Sequence, residues 1–154
     1  MDRDHIKAWY EQYKHDIYRY AFFLTGDPHL AEDILHDTFV KLLSGRYSID
    51  PMKIKAWLYR TARNLCYDQL RRSNRESVEL ENPESQENPY GFIELLAHLS
   101  QWERDIVTLK IIGGLTHREI GVVLGITAAA AQKRYERAIA TLREEEDAYG
   151  TKTT

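Results

Sequence analysis

The sequence predicts an all-α fold: two small helical domains joined by a flexible acidic linker, with a helix-turn-helix in the C-terminal domain. Apolar side chains recur at three- and four-residue intervals through most of the chain, and no strand-like alternation of useful length occurs. Residues 75–90 interrupt this pattern with acidic residues, two prolines and no helical period. Beyond them, a short turn at Gly125 joins two helical patterns, the second with basic residues on its outer face.

Length and composition narrow the class of protein. A chain of 154 residues suits one domain or two very small ones. The single cysteine, Cys66, excludes an internal disulfide and fits a reducing compartment. The N-terminus lacks the apolar core of a secretory signal, and the apolar runs are far too short to span a bilayer. We therefore expect a soluble cytoplasmic protein without membrane insertion.

The charges are segregated along the chain. A formal net charge of −3 argues against a uniformly basic nucleic-acid coat. Between Lys53 and Arg75, however, seven basic residues and one acid give a local balance of +6. Residues 76–90 then carry five glutamates and no lysine or arginine. This asymmetry points to a local contact with a polyanion.

Three helices are predicted in the first domain. Asp27 and Pro28 form an N-cap and a first helical residue directly after Gly26, a natural helix stop. Asp50 and Pro51 repeat the same start signal. The apolar spacing then gives helices at residues 5–24, 28–43 and about 51–73.

Helical periodicity divides the second and third helices into core sides and outer sides. The predicted core side of the second helix is Ala31, Leu35, Thr38, Phe39 and Leu42. The predicted core side of the third helix is Leu58, Ala62, Leu65 and Gln69. On the outer side of the second helix, Val40 lies within an acidic face, which indicates a protein contact.

The outer side of the third helix combines guanidinium groups, an amide and an aromatic ring. Its residues are Arg60, Arg63, Asn64, Tyr67 and Arg71. Such side chains clamp phosphates, read base edges and stack on unpaired bases. A solvated basic face is the alternative for the helix as a whole. A surface tyrosine that only reaches toward solvent is the alternative for Tyr67.

Two capping boxes, Ser100–Glu103 and Thr116–Glu119, mark helix starts in the second domain. Thr127 caps the last helix, whose predicted core side is Ala131, Tyr135, Ala138 and Leu142. The predicted helices cover residues 101–112, 117–124 and 128 to about 147, followed by a disordered tail at 149–154.

Three stretches in fixed order resemble the extracytoplasmic-function class of bacterial sigma factors. They are LAEDILHDTFVKLL, WLYRTARNLCYDQLRR and, after the linker, GLTHREIGVVLGIT continuing to KRYERAIATLRE. The likeness covers roughly residues 6–146. It implies a non-enzymatic promoter-recognition subunit without a cofactor or a metal. The implied partners are core RNA polymerase and promoter DNA, and the resemblance also suggests control by an anti-sigma factor that occludes the same surfaces.

The resemblance also implies roles for domains and residues. Residues 1–74 would bind polymerase and melt the −10 element, 75–90 would be a linker, and 91–148 would read the −35 duplex. The implied polymerase-binding residues are Asp33, His36, Asp37 and Val40. The −10 contacts would come from Arg46, Tyr47, Arg60, Arg63, Asn64, Tyr67 and Arg71. The −35 contacts would come from His117, Arg118, Thr127, Gln132, Lys133 and Arg137.

The chain departs from the family pattern in the first turn of the last helix, where four alanines follow Thr127. Alanine offers a thymine methyl an apolar contact but no hydrogen bond, so −35 reading is expected to depend on DNA shape and backbone contacts. His36 stands where the family usually has glutamine.

Two other classes of function remain open at this stage. One is a helix-turn-helix regulator with a helical effector domain, which leaves the basic third helix unexplained. The other is a helical metal-carboxylate enzyme, because Asp33 and His36 have the spacing of a carboxylate-bridged metal motif and His29 lies one turn earlier.

Overall fold

The computed structural model describes residues 3–45, 49–73 and 94–152, and all regular structure in these ranges is helical, which confirms the all-α prediction. The chain forms two compact units, Met1–Val78 and Glu79–Thr154. The first unit contains α1 (Arg3–Thr25), α2 (Pro28–Ser44), a 3₁₀ turn (Pro51–Lys53) and α3 (Ile54–Ser73). The second contains α4 (Gln101–Val107), a π-helical turn (Thr108–Ile112), α5 (His117–Leu124) and α6 (Ala128–Lys152). The predicted linker at 75–90 lies outside the described residues.

The helix starts of the first unit follow the predicted capping chemistry. The Asp27 carboxylate accepts hydrogen bonds from the backbone N–H groups of His29 (2.9 Å) and Leu30 (3.2 Å), with Pro28 as the first helical residue. These bonds satisfy two of the N–H groups that the first turn of a helix leaves without intrahelical partners. Asp50 caps the 3₁₀ turn before α3 in the same way, accepting from the N–H of Met52 at 3.0 Å.

Aromatic contacts join the three helices of the first unit. The rings of Tyr20 on α1 and Tyr59 on α3 meet edge to face with centroids 5.4 Å apart. Tyr10 on α1 and Phe39 on α2 make a similar contact at 5.0 Å. Aromatic pairs at these distances contribute about 0.5–1.5 kcal/mol beyond the burial of their area. They fix the side of α3 that faces the core, and therefore the side that faces solvent.

Two details of the predicted core of this unit are wrong. On α2, Ile34 is buried and Leu35 is only partly covered. On α3, the buried row consists of Ile54, Leu58, Ala62 and Cys66, joined by Tyr59, whereas Leu65 and Gln69 lie at its edge. The four-residue row is buried because α3 packs against both α1 and α2 along this line.

Both predicted capping boxes are present in the second unit. The Ser100 hydroxyl accepts from the N–H of Glu103, and the Glu103 carboxylate accepts from the N–H of Ser100 at 3.2 Å. The same reciprocal bonds join Thr116 and Glu119.

The helix predicted to reach Ile112 is α-helical only to Val107. Its last five residues form a wider π-helical turn, which the N–H of Gly113 closes on the carbonyl of Thr108 at 3.0 Å. The Thr108 hydroxyl also donates to the carbonyl of Arg104 at 2.6 Å, a local bond that competes with regular helix geometry.

The turn between α5 and α6 is tight. Gly125 has φ of +71°, a left-handed conformation that glycine adopts without steric cost. Inside α5, a Cβ added to Gly121 would lie 2.6 Å from the backbone oxygen of Ile126 in the turn and 3.3 Å from the backbone nitrogen of Ala128, the first residue of α6, so the turn passes α5 as closely as a glycine allows.

The α6 helix runs to Lys152, beyond the predicted end near Asp147, and it includes residues 149–152 of the predicted disordered tail. The run of good helix formers from Leu142 to Ala148 contains no stop signal. No helix among the described residues is both long and apolar enough to cross a membrane.

Candidate nucleic-acid interface

The outward face of α3 carries the predicted DNA-contacting residues of the first unit. Arg60, Asn64 and Arg71 are exposed, and Arg63 and Tyr67 are half-buried beside them. The guanidinium carbon of Arg63 lies 4.6 Å from the centroid of the Tyr67 ring, a cation–π contact. The core packing of Leu58, Ala62 and Cys66 on the opposite side of α3 holds this face toward solvent. The face therefore combines exposed cations, an amide and one arginine in contact with an aromatic ring.

A second contact organises the end of the same face. The Asp68 carboxylate lies 3.6 Å from a guanidinium nitrogen of Arg71 and 3.5 Å from one of Arg72. These groups are exposed, so each pair contributes little to folding stability. The carboxylate nevertheless offsets part of the positive charge that Arg71 and Arg72 present to a polyanion.

The loop before α3 is only partly described. Arg46 and Tyr47, predicted as −10 contacts, lie outside the described residues. After the loop, the Asp50 cap fixes the backbone of Met52, whose side chain is 89% exposed. Sequence reasoning did not single out Met52, although an apolar residue directly after an Asp-Pro start is a visible signal.

The predicted polymerase-binding residues lie on the outer side of α2. Asp33, His36, Asp37 and Val40 are all exposed. A groove of about 330 Å³ lies beside them, with His36 and Val40 in its wall. The other groove residues are Ile6, Lys7, Tyr10, Phe39 and Leu43.

Val40 and Leu43 are 49% and 58% exposed, so their apolar side chains are open to a partner. The contribution of α1 to this groove was missed, because it arises only when α1 and α2 pack together. Leu43 could have been found from its spacing of three residues after Val40.

In the second unit, the exposed predicted residues at the start of α6 are Thr127, Gln132, Lys133 and Arg137. Two of them already have local partners. The Thr127 hydroxyl accepts from the N–H of Ala130 at 3.0 Å, and the Gln132 amide donates to Glu136 at 3.2 Å.

The two predicted residues at the start of α5 are oriented differently. Arg118 is exposed. His117 is half-buried, its Nε2 atom is buried without a hydrogen-bond partner among the described residues, and its ring lies 5.8 Å from that of Tyr135. The imidazole therefore faces the interior, and Arg118 is the better-placed cation for a phosphate.

Within the described residues, no group of three or more His, Cys, Asp or Glu side chains could hold a metal ion. The spacing of Asp33 and His36 thus lacks the further ligands that a helical metal-carboxylate site requires.

Comparison with known proteins identifies both units. The family model for sigma-70 region 2 matches residues 9–76, and the model for sigma-70 region 4 matches residues 91–142. Together they account for most of the chain, with region 2 preceding region 4.

Individual proteins give the same result. The ECF RNA polymerase sigma factor SigM of Bacillus subtilis is 28% identical over 137 residues, which cover 80% of this chain and 84% of SigM. The ECF sigma factor SigE of Mycolicibacterium smegmatis is also 28% identical, and the match covers 93% of this chain and 63% of SigE. The structure of CnrH in complex with the cytosolic domain of CnrY has a TM-score of 0.77 at 25% identity, covering 96% of this chain and 90% of CnrH.

The chain belongs to the extracytoplasmic-function class of bacterial sigma factors, which confirms the resemblance found in the sequence. The region 2 match includes the basic helix α3, which the alternative of a helix-turn-helix regulator left without a role.

Proposed function

We propose that this chain is an alternative sigma factor that binds core RNA polymerase and directs promoter-specific initiation. The observation that carries the proposal is the solvent-facing side of α3, where arginines, an amide and an aromatic ring lie together within a sigma region 2 unit. The helix-turn-helix of the second unit supplies a separate surface for duplex DNA. The protein acts in the cytoplasm as a non-enzymatic initiation factor.

Melting of the −10 element needs no catalytic group in this proposal. Extruding a base costs a few kcal/mol, and contacts that bind unpaired bases better than duplex offset that cost. Asn64 supplies an amide for a base edge, and Arg60 and Arg71 supply exposed cations for the phosphates. Arg46 and Tyr47 of the preceding loop belong to the same proposed surface.

Polymerase docks on the outer side of α2. Val40 and Leu43 offer exposed apolar area beside the groove, and Asp33 and Asp37 are exposed carboxylates on the same helix. An apolar centre within a charged rim is the usual composition of a protein interface. An anti-sigma factor that covers this side would prevent docking.

The −35 element is read by α6 and the start of α5. Lys133, Arg137 and Arg118 are exposed cations for the DNA backbone, and Thr127 and Gln132 lie at the end of α6 that enters the major groove in helix-turn-helix proteins. The small alanines of the first turn allow close approach but supply no hydrogen bonds to bases, so DNA shape carries much of the selectivity.

Run-off transcription with core polymerase and a random promoter library tests the proposal. The expected result is initiation at a defined set of promoters that requires the chain, together with a stoichiometric complex of chain and core enzyme. A chain that neither associates with core enzyme nor supports initiation anywhere in the library would overturn it.

A matched pair of variants tests the docking surface. Val40→Asp places a carboxylate in the apolar part of the α2 face and is expected to weaken polymerase binding by tenfold or more, because a buried unpaired charge is costly. Gln12→Asp adds the same charge at an exposed position of α1 in the same unit and is expected to leave binding unchanged.

A further inference from the structure

The contact between Arg63 and Tyr67 has a consequence that rests on the proposed function of α3. We infer that Tyr67 is a positioning residue: its ring holds the Arg63 guanidinium in place for −10 DNA, and it does not itself stack on an unpaired base. Arg63 and Tyr67 lie four residues apart on one helix, so α3 sets both the spacing of their side chains along the helix axis and their relative orientation.

The geometry favours this role over base stacking. The Arg63 guanidinium carbon is 4.6 Å from the Tyr67 centroid, well inside the range of about 6 Å for a cation–π contact. Helical side chains lean toward the N-terminus, so the Tyr67 ring reaches back over the turn that carries Arg63. One face of the ring is thereby occupied, and the residue is half-buried, whereas Asn64 and Arg60 beside it are exposed.

Contact with an aromatic ring uses none of the hydrogen-bond donors of a guanidinium group, whose five N–H groups lie in the guanidinium plane. An unrestrained arginine gives up rotamer freedom when it binds, and a restrained one has less to lose. Tyr67 therefore raises the selectivity of Arg63 without touching the DNA.

The neighbouring arginines show why the nature of the partner matters. Arg71 and Arg72 are oriented by the Asp68 carboxylate, which offsets part of their charge. The Tyr67 ring is neutral, so this contact orients Arg63 without placing a negative charge beside it. This combination suits a residue that must both attract a polyanion and hold a fixed geometry.

A double-mutant cycle in the complete holoenzyme tests the inference. The variants are Arg63→Ala, Tyr67→Leu and the two together, and the readout is the rate of open-complex formation on one promoter and on versions with single −10 substitutions. We expect Tyr67→Leu to lower the rate of open-complex formation by about two- to thirtyfold. The lower value corresponds to losing an exposed cation–π contact and the upper value to losing a desolvated one. The variant should also discriminate less among −10 bases. In the Arg63→Ala background it should have no further effect, because the group that Tyr67 positions is gone.

Tyr67→Phe supplies the conservative control, since it keeps the ring and removes the hydroxyl, and it should remain within twofold of wild type. A structural readout accompanies the cycle: the ring-current shift of the Arg63 side-chain protons in the free chain should persist in Tyr67→Phe and disappear in Tyr67→Leu. This measurement requires neither polymerase nor DNA.

Three results would overturn the inference while leaving the proposed function in place. If Tyr67→Leu costs the same factor with and without Arg63, the tyrosine acts independently of the arginine and the inference is overturned. A Phe variant as impaired as the Leu variant, or a Tyr67→Leu variant with wild-type rates, overturns it as well. A wild-type holoenzyme that fails to initiate at all would instead refute the proposed function, and the inference with it.

Discussion

The two helices proposed to contact DNA, α3 and α6, present their polar groups in different ways. On α3, Arg63 is stacked on Tyr67, and Arg71 and Arg72 share one carboxylate. On α6, the first turn is alanine, Gln132 bonds to Glu136 on the same helix, and Lys133 and Arg137 extend into solvent. One helix thus carries groups oriented by neighbours on the same helix, and the other carries exposed charges beside a run of alanines.

This difference corresponds to the two tasks assigned to the helices. Discrimination among bases depends on hydrogen bonds of defined direction, for which an oriented arginine and an amide are suited. Holding a duplex by its phosphates needs charge and little directional order, because the phosphates repeat along the helix. Base selectivity is therefore expected to reside mainly on α3, and salt-sensitive affinity mainly on α6.

The largest effect should come from removing the directed groups of α3. Arg63→Ala or Asn64→Ala is expected to lower initiation by about 5- to 150-fold, which corresponds to about 1–3 kcal/mol for one specific base contact. Run-off transcription measures this loss, and titration with core polymerase should show unchanged binding. Arg72→Ala, at the end of α3 and paired with Asp68, is the control and should change initiation much less. A joint loss of initiation and polymerase binding in the Asn64 variant would contradict the assigned role.

The features that the sequence alone predicts are those that depend on side chains close together in the chain. The Asp27–Pro28 start and both capping boxes depend on side chains within one turn, so residue spacing alone predicts them. The basic face of α3 was predicted in the same way, because the period of the helix places its residues on one side.

Features that depend on packing between helices were not predictable from local spacing. The choice of Cys66 over Gln69 for the core follows from how α3 crosses α1 and α2. The groove beside Val40 is lined in part by side chains of α1, and the inward-facing ring of His117 lies against the ring of Tyr135 on α6. The spacing of Arg63 and Tyr67 is visible in the sequence, but the same spacing fits separate side chains in solvent.

Gly121→Ala should destabilise the second unit, which carries α6, and leave the first unit, which carries α3, unchanged. Alanine at Gly121 would improve helix propensity by about 1 kcal/mol, but its Cβ would meet the backbone oxygen of Ile126 at 2.6 Å. A backbone atom cannot move aside as a flexible side chain can, so we expect a net loss of about 1–3 kcal/mol in the unfolding free energy of the second unit. Urea unfolding followed by circular dichroism measures the change.

Val122→Ala is the matched control for Gly121→Ala, since Val122 is the next residue of α5 and its side chain is exposed. It should alter the unfolding free energy by no more than about 0.5 kcal/mol. Unfolding of the first unit should be the same in both variants. An unaltered second unit in Gly121→Ala would mean that the turn backbone at Ile126 does not pass this close to α5.

A smaller effect, on salt dependence, should follow from Lys133→Ala. If Lys133 contacts a phosphate, its loss weakens binding of the holoenzyme about equally on all −35 sequences and lowers the salt slope by about 1. Arg143→Ala removes a charge about three turns further along α6, away from the end proposed to enter the groove, and serves as the control. Strong dependence of the Lys133 effect on the −35 sequence would show instead that this residue reads bases, and the division of tasks between α3 and α6 would fail.

The smallest effect is a pH dependence of the unit that carries α6. Burial of Glu103 raises its pKa, but hydrogen bonds from the Ser100 side chain, the Thr141 side chain and the Ser100 backbone outweigh burial, so the pKa of Glu103 lies below its ordinary value. Because the folded state then binds the proton less readily than the unfolded state, this contribution to stability is complete above the ordinary glutamate pKa, and it is lost as the pH falls through the lowered value.

Glu103→Gln should remove this part of the pH dependence of unfolding of the second unit, which is expected as the pH falls below the ordinary glutamate pKa of about 4.3. Asp68→Asn on α3 replaces an exposed carboxylate whose pairs contribute little to stability, so it should leave the unfolding free energy of the first unit at neutral pH nearly unchanged. Denaturant unfolding at several pH values measures both variants. Since the Glu103 carboxylate joins the start of α4 to Thr141 on α6, acid should weaken the support of the α6 face. An acid sensitivity of the second unit that Glu103→Gln leaves unchanged would show that this capping box is not its source.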